Sequence, residues 1–410
     1  MPVPTKSALD LDQVTEALKE HYKALTIKDM VYRDNPLLAM MPKYERFGGE
    51  NMPIPLQYGI TNRRSADFAT GQGLISGTRL ERFVIERVKD YSFARITGET
   101  IKATEGNADA FLKYATMEID GAIKSLSRSL AVAMYGDGSG QIGLGPFASA
   151  DNSITLAKPE QVTNFEVGMK CQFSTAATTA VVGLTDLTIT AVNRDTGKLT
   201  FDGAGALVNG TSYYIFQIGD AQNGAASGVK ISGLEAWIPG GTPSANFFGV
   251  VDRTVDRTRL AGVPFDGSSM PLEEALISAV VCLAGVGCAP SYFFMDYTQF
   301  ANLEKALGSK VVYDKVSSDD ADVGFQALSI IGPKGPIKII ADQNCTPDVA
   351  YLLQMDTWTL NSLGPAPHIL DLDGNRMLRI HNDDSYELRV GFYGNVACTA
   401  PGYNCRIALA

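Results

Sequence analysis

The chain has 410 residues, 45% hydrophobic and 20% charged, which excludes a disordered polymer and leaves room for two or three domains. A formal net charge of −10 argues against a protein that grips nucleic-acid backbones over a broad basic face. Six cysteines (171, 282, 288, 345, 398, 405) form no CxxC pair, so zinc and disulfide roles are not expected; they read as reduced, packed thiols of a cytoplasmic product, with Cys171, Cys282 and Cys398 in apolar or small-residue contexts.

The opening MPVPTKSALDLDQ is polar and acidic, without a secretory pattern. A modest amphipathic helix, LDQVTEALKEHYKAL, precedes DNPLLAMMPKYERF, where Pro36 and Pro42 forbid a continuous helix. This segment reads as an arm. Its apolar Leu37, Leu38, Met40 and Met41 have no partner nearby in sequence and are expected to dock on another chain.

Two extended segments, MPIPLQYG and RFVIERVKDYSFARI, flank the polar stretch ITNRRSADFATGQGLISGTR. A hairpin of that composition cannot bury itself and is expected to pack on another chain. Arg63, Arg64 and Arg79 form the one basic cluster singled out. With Asp67 and Arg82 they make the candidate subunit interface, guanidinium groups being suited to a neighbour's carboxylates.

In NADAFLKYATMEIDGAIKSLSRSLAVAM, apolar residues at Leu112, Ala115, Ile119, Ala122, Ile123, Leu126, Leu130 and Ala133 fall at steps of three and four. The spacing predicts one helix, capped by Asn107 and about 40 Å long. It runs into Gly138-Ser-Gly-Gln-Ile-Gly143, which matches a dinucleotide-binding glycine pattern. That pattern needs a strand before it and a helix after it; here the order is reversed, so the glycines read as a helix end and a flexible exit.

Residues 150 to 228 are Thr- and Val-rich, with alternating strands and a hairpin turn at Asn193 to Gly197. They read as a small all-β unit. The uncharged run from Ala275 to Met295 imitates a membrane span, but Pro271, Glu273 and Glu274 start a helix that Gly285, Gly287 and Pro290 end early. A short helix at YTQFANLEKALG and strands at IKIIAD, VAYLLQM, HILDLDG and YELRVGFYGNVACT complete an α+β chain, with a turn at Asp373-Gly374.

No catalytic constellation emerges. His368 and His381 neighbour no nucleophile elbow. Asp371 and Asp373 could share a face and hold a cation, yet the further acids of a calcium loop are missing, so they read as a solvated pair. Asp319-Asp320 and Asp383-Asp384 read as solvated loops.

Apolar arm, long hairpin, spine-like helix and mixed domain occur in the order of the tailed-phage major capsid proteins of the HK97 fold, which the chain resembles. NADAFLKYATMEIDGAIKSLSRSLAVAMYGDGSG is similar to the spine helix and its exit in a subset of that family. HILDLDGNRMLRIHNDDSYELRVGFYGNVACTAPGYNCRIAL is similar to the C-terminal strands of the same subset. The resemblance implies an α+β HK97-like capsid fold with an N-terminal arm at 1–47, an extended loop at 48–98 and the peripheral-domain spine helix with its exit at 99–149. A small all-β domain inserted at 150–228 and the remaining axial and peripheral domains at 229–410 would complete it.

It further implies a structural subunit, not an enzyme, without cofactor or metal. Such subunits form hexamers and pentamers of an icosahedral shell around double-stranded DNA that they do not read by sequence, in the virion after assembly in the host cytoplasm. Scaffolding, portal and decoration proteins are candidate partners, and no membrane is involved. An encapsulin-like compartment shell is the alternative, and an enzyme with a glycine-loop cofactor site is the reading from another class. Some family members weld the shell through a Lys of the extended loop. Here no Lys lies between Lys43 and Lys89, so non-covalent contacts or cement proteins are expected to hold it. The arm is too short for a cleaved helical scaffold segment, so a separate scaffolding protein or none is expected.

Overall fold

The computed structural model describes residues 35–61, 63–74, 77–99, 108–182, 186–224, 228–307, 313–318, 321–370 and 377–410. The helix expected before residue 35, the cap Asn107, the pairs Asp319-Asp320 and Asp371/Asp373, and the turn at Asp373-Gly374 lie outside these residues.

The described chain opens on a one-turn helix, α1 (Pro36–Met40), begun by Pro36, whose missing N–H costs nothing in a first turn. Leu37 and Met41 are 1% and 2% exposed within the chain's own core, and Leu38 and Met40 pack half-buried against it. For Leu37 and Met41 the expectation of docking on another chain is therefore corrected. Their cover comes from segments far along the sequence: the Leu37 amide donates to Asp342 Oδ2 at 3.3 Å, and Tyr135 Oη donates to the same oxygen at 2.9 Å. The Asn344 amide donates to Oδ1 at 2.9 Å. Burial raises the Asp342 carboxyl above its ordinary range, while these donors pull it back.

Strand β1 (Lys43–Tyr44) leads to a hairpin of β2 (Asn51–Gly59) and β3 (Arg79–Glu86), with a short helix α2 (Phe68–Gly73) between them, and then to β4 (Val88–Thr97). The extended stretch RFVIERVKDYSFARI is thus two strands in different sheets, divided at Arg87. The Arg87 guanidinium donates to the Phe47 carbonyl at 2.8 Å and lies over the Phe47 ring. Helix α3 (Ala108–Ala133) is 26 residues, about 39 Å, long. It buries Ala122, Leu126 and Leu130 at steps of four and packs on β4.

Strands β5 (Gln141–Ala148), β6 (Ser153–Thr155), β7 (Lys170–Ser174), β8 (Leu187–Asn193), β9 (Lys198–Phe201) and β10 (Ser212–Gln217) close into a barrel in the order β10-β5-β6-β9-β8-β7. Closure removes the free edges that a six-stranded sheet would expose. Its interior is filled by Phe147, Ile154, Phe173, Ile189, Leu199 and Ile215. The first barrel strand lies in the stretch read as a flexible exit, a correction with a steric cause. A Cβ at Gly143 would stand 2.8 Å from the Phe165 ring, and one at Gly145 would stand 2.2 Å from the Thr155 carbonyl oxygen. Close packing demands glycine there, and glycine hides the strand.

The remaining glycines of the pattern form a neck. Gly138 (φ 88°) and Gly140 (φ 85°) are left-handed, and a Cβ at Gly140 would lie 2.0 Å from the Asp220 carbonyl oxygen. The Gly138 carbonyl accepts from the amides of Val229 at 3.0 Å and Lys230 at 3.2 Å, so the chain entering the barrel and the chain leaving it run side by side. Lys230 Nζ pairs with Asp90 Oδ2 at 2.8 Å and Asp220 Oδ2 at 2.9 Å, and bonds Ser129 Oγ at 3.2 Å. One buried ammonium thereby joins β4 and α3 to the side of the neck that leaves the barrel.

Downstream come β11 (Val263–Asp266), α4 (Leu272–Val286), β12 (Tyr292–Met295), α5 (Tyr297–Leu307), β13 (Tyr313–Ser318), β14 (Ala321–Gly332), β15 (Gly335–Ala341) and β16 (Val349–Leu353). They are followed by β17 (Trp358–Ser362), β18 (His368–Ile369), β19 (Met377–Arg379), β20 (Ser385–Cys398) and β21 (Cys405–Ala408). A seven-stranded sheet runs β11-β21-β16-β12-β15-β14-β13. A second sheet, β1-β17-β20-β18, carries β4 and β19 along the long β20. The central strands of the seven-stranded sheet are buried on both faces: Phe293, Ile339 and Leu352 face the core under α4, while Phe294, Ile340 and Tyr351 face the core shared with α1 and α3.

Helix α4 ends at Gly287 (φ 99°) in a left-handed cap. Among the described residues no helix is long and apolar enough to cross a membrane. Five cysteines are buried thiols, but Cys282 is exposed on α4, against the packed position expected for it.

Gly140→Ala and Lys230→Met probe the neck, with Gly285→Ala in α4 as the contrasting glycine. Gly140→Ala forces a left-handed alanine against a carbonyl and should cost more than about 2 kcal/mol in thermal unfolding. Gly285→Ala, inside α4 with open space around it, should instead gain about 0.5–1 kcal/mol. Lys230→Met strands two half-buried carboxylates and should cost about 2–4 kcal/mol at pH 7. Burial already raises the Asp220 carboxyl, so protonation removes the stranded charge early on acidification, and the deficit of Lys230→Met should shrink as pH falls through the carboxylate range.

Candidate assembly interface

Among the described residues the β2–β3 ribbon pairs with no other strand, yet its proximal half is firmly anchored. Ile54, Phe83 and Ile85 are buried, and the Phe83 ring meets Trp237 edge-on at 4.9 Å between centroids. The Val84 amide donates to the Phe248 carbonyl at 2.7 Å. Phe248 presents that carbonyl from a left-handed conformation (φ 47°), which costs a bulky side chain about 1–3 kcal/mol. Beneath it, buried Arg253 lies 4.0 Å from the Phe247 centroid and donates to the Ala236 and Trp237 carbonyls; burial lowers its guanidinium to about 10. Arg259 Nη1 bonds the Tyr58 carbonyl at 2.6 Å, and Asn395 Nδ2 bonds that of Glu86 at 2.9 Å.

Toward the tip the Arg259–Tyr58 bond is the last such support, and no described side chain from Gln57 to Leu80 is buried. Ile60 is 78% exposed, Phe68 82% and Leu80 69%, a run of apolar surface on a ribbon with no core of its own. The polar tip contains helix α2, which the composition did not suggest. Asp67 caps it, its Oδ2 accepting from the Thr70 amide and hydroxyl, both at 2.7 Å, and these bonds hold its carboxyl below the ordinary range. The Asp67 carboxylate is thus engaged inside its own loop, a local use its place among the interface residues did not anticipate.

Arg63, Arg64, Arg79 and Arg82 are all exposed, but they are spread along the ribbon and not gathered in one cluster. Arg63 and Arg64 flank the tip. The Arg79 stem crosses Gly59, and by strand alternation Arg79 shares a face with Phe83 while Arg82 shares the other with Leu80. Arg64, Arg79 and Arg82 make no ion pair within the described residues.

A second exposed surface was missed in the sequence. On β4 the inward residues Ala94 and Ile96 alternate with outward Tyr91 and Phe93, 43% and 54% exposed. Tyr91 stacks on Phe93 and meets Tyr393 edge-on at 5.7 Å. Below them Glu387 is held by Arg95 Nε and Arg389 Nε, each at 2.8 Å. Burial works to raise that carboxyl, but the two guanidinium groups outweigh it and keep it below the ordinary range. Period-two alternation in KDYSFARI was the available signal. The inward side begins with Asp90 and Ser92, so polarity alone did not say which face was buried. Asp383 and Asp384 are exposed, as expected of a solvated loop, and among the described residues no group of three or more His, Cys, Asp or Glu side chains is placed to hold a metal.

No family model matches the chain, and no curated protein matches it. Solved structures do. A chain of the cyanophage A-1(L) capsid asymmetric unit superposes with a TM-score of 0.54 at 10% identity, covering 96% of this chain and 97% of that one. The fold is that of a phage capsid chain. Its mixed α and β layers fit the HK97-like architecture. Two further likenesses, to the capsid of an empty GTA particle (TM-score 0.49, 10% identity, 99% and 100% covered) and to the holo-SrpI encapsulin complex of Synechococcus elongatus PCC 7942 (0.46, 8%, 98% and 96%), are too slight to add to it.

The division of the ribbon into an anchored and an unsupported half has a direct test. Phe68→Ser and Leu80→Ser should leave the thermal stability of the isolated chain within about 0.5 kcal/mol of the parent, whereas Phe83→Ala should cost about 3–5 kcal/mol.

Proposed function

We propose that this chain is a shell subunit of a phage head, assembling through non-covalent contacts into the hexamers and pentamers of an icosahedral capsid around double-stranded DNA. The observation that carries the proposal is the conjunction of a capsid fold over nearly the whole chain with a ribbon whose distal apolar surface its own chain leaves bare. Ile60, Phe68 and Leu80 then find cover on a neighbouring copy, with Arg64, Arg79 and Arg82 as polar margin. The outer face of β4 and β20 is the matching acceptor: exposed Tyr91 and Phe93 offer apolar area and ring faces on which a guanidinium can rest. Contacts of this kind are heterologous, one patch meeting a different patch, which is what closes rings and tiles shells.

Within this proposal residues 1–47 act as arm, 48–98 as extended loop, 99–149 as spine helix and exit, 150–228 as an inserted β domain and 229–410 as the remaining axial and peripheral domains. No reaction is required, and no cofactor. The acidic chain encloses DNA without reading its sequence, in a virion shell built in the host cytoplasm, with scaffolding, portal and decoration proteins as further partners.

Electron microscopy of the full chain, expressed alone and with a scaffolding candidate, tests the reading. Parent protein should give closed shells, and the Phe68→Ser/Leu80→Ser double variant should stay folded without forming them. Boiled in SDS, the shells should run as a single subunit band, since the ribbon carries no amine for an isopeptide bond. A parent that remains a compact monomer under all these conditions overturns the proposal, and a ladder of multimers overturns its non-covalent part.

A further inference from the structure

A cavity of about 350 Å³ lies on the seam between the barrel, the C-terminal end of α3 and the seven-stranded sheet. Asp296, at the end of β12, borders it from one side and Glu160, in the turn before β7, from the other. Asp296 is 4% exposed. Its Oδ2 accepts from the Thr298 amide at 3.0 Å as α5 begins, but its Oδ1 is buried with no hydrogen-bond donor among the described residues. A buried carboxylate oxygen without a donor is costly; the Thr298 and Gln299 residues at the start of α5 offset part of the cost of the charge, but no Lys, Arg or His is among the lining residues to neutralise it. The neighbouring cavity of about 310 Å³ differs here, since Arg128 and Lys230 stand among its acids.

The rest of the wall is rich in neutral oxygen. Asn164 commits its Nδ2 to the Ile142 carbonyl at 3.2 Å, and Asn344 commits its Nδ2 to Asn35 and Asp342, which leaves both side-chain carbonyl oxygens as acceptors. Gln161 and Gln343 add two more amides. The one sulfur is Cys345, which is buried and donates its thiol to the Phe294 and Val349 carbonyls, so it is not offered as a soft ligand. Two carboxylates with amide oxygens suit a hard cation and not zinc or copper.

We propose that this cavity binds a hard divalent cation, calcium or magnesium, kept with part of its water shell between Asp296 and Glu160. The volume has room for retained water, and two carboxylates in place of three or four make the site a weak one, with a Kd of about 0.1–1 mM. Its two acids belong to different units, so the ion fastens the barrel to the seven-stranded sheet beside the Lys158–Asp348 ion pair that already bridges them. The site does not depend on the shell reading and stands or falls separately.

Terbium, a luminescent stand-in for calcium, is the probe, excited through the tyrosines that border the cavity, Tyr135 and Tyr297. Titrated into the full chain after EDTA treatment, it should give saturable luminescence that calcium displaces, and calcium should raise the thermal midpoint reversibly. Asp296→Asn keeps an acceptor for the Thr298 amide, and Glu160→Gln alters an exposed side chain. Each should weaken binding about tenfold or more while the metal-free circular dichroism stays that of the parent. Absence of saturable, calcium-displaceable binding in the parent, or unchanged affinity in Glu160→Gln, overturns the proposal; should Asp296→Asn fail to fold, the Glu160 variant decides alone.

Discussion

A ribbon two strands wide gives each side chain only cross-strand neighbours, so its apolar residues stay wet unless something else covers them, and the β2–β3 hairpin meets this limit in two ways. Near its base the chain supplies the cover itself, with Phe83 against Trp237 and Phe247, and with the Phe248 carbonyl held out to Val84 at the cost of a left-handed phenylalanine. Farther out it supplies none. The rigid half fixes where the bare half points, and a surface offered at a fixed angle loses less freedom on docking than a floppy one.

The body that holds the ribbon is organised around the far end of α3. There the Asp342 carboxylate ties the arm to Tyr135, and the Lys230 ammonium ties β4 to the barrel's neck. Both are polar contacts inside otherwise apolar surroundings, which makes them poor sources of net stability but strict about geometry: each is satisfied in one arrangement of three segments and costly in any other.

Much of this was legible in the sequence where local chemistry agrees with the final structure. Helix α3 announced itself by sustained three- and four-residue apolar steps, and α4 by Pro271 and Gly287. The β8–β9 hairpin was visible in Asn193 to Gly197, where Asn193 Oδ1 accepts from the amides of Asp195 and Thr196 and Gly197 is left-handed. What stayed hidden depended on distant partners. Leu37 and Met41 looked unattached because their cover comes from α3 and β14, far along the chain. Strand β5 was masked by glycines whose reason is a ring in the turn before β7 and a carbonyl in β6. In the candidate interface the exposure of the arginines could be read, but not that the base of the hairpin buries Ile54, Phe83 and Ile85 on its own chain. The capping role of Asp67 could not, and neither could the aromatic face of Tyr91 and Phe93, because both rest on which neighbour each side chain meets.

The neck also says something about how such a barrel could come and go. Because Gly138 hydrogen-bonds the residues that leave the barrel, the six strands between are a loop whose two ends already touch, held to the body besides by the Lys158–Asp348 and Arg128–Glu166 ion pairs. Near-coincident ends of this kind are the places in a chain where a module can be lengthened, shortened or replaced with least displacement of what lies on either side.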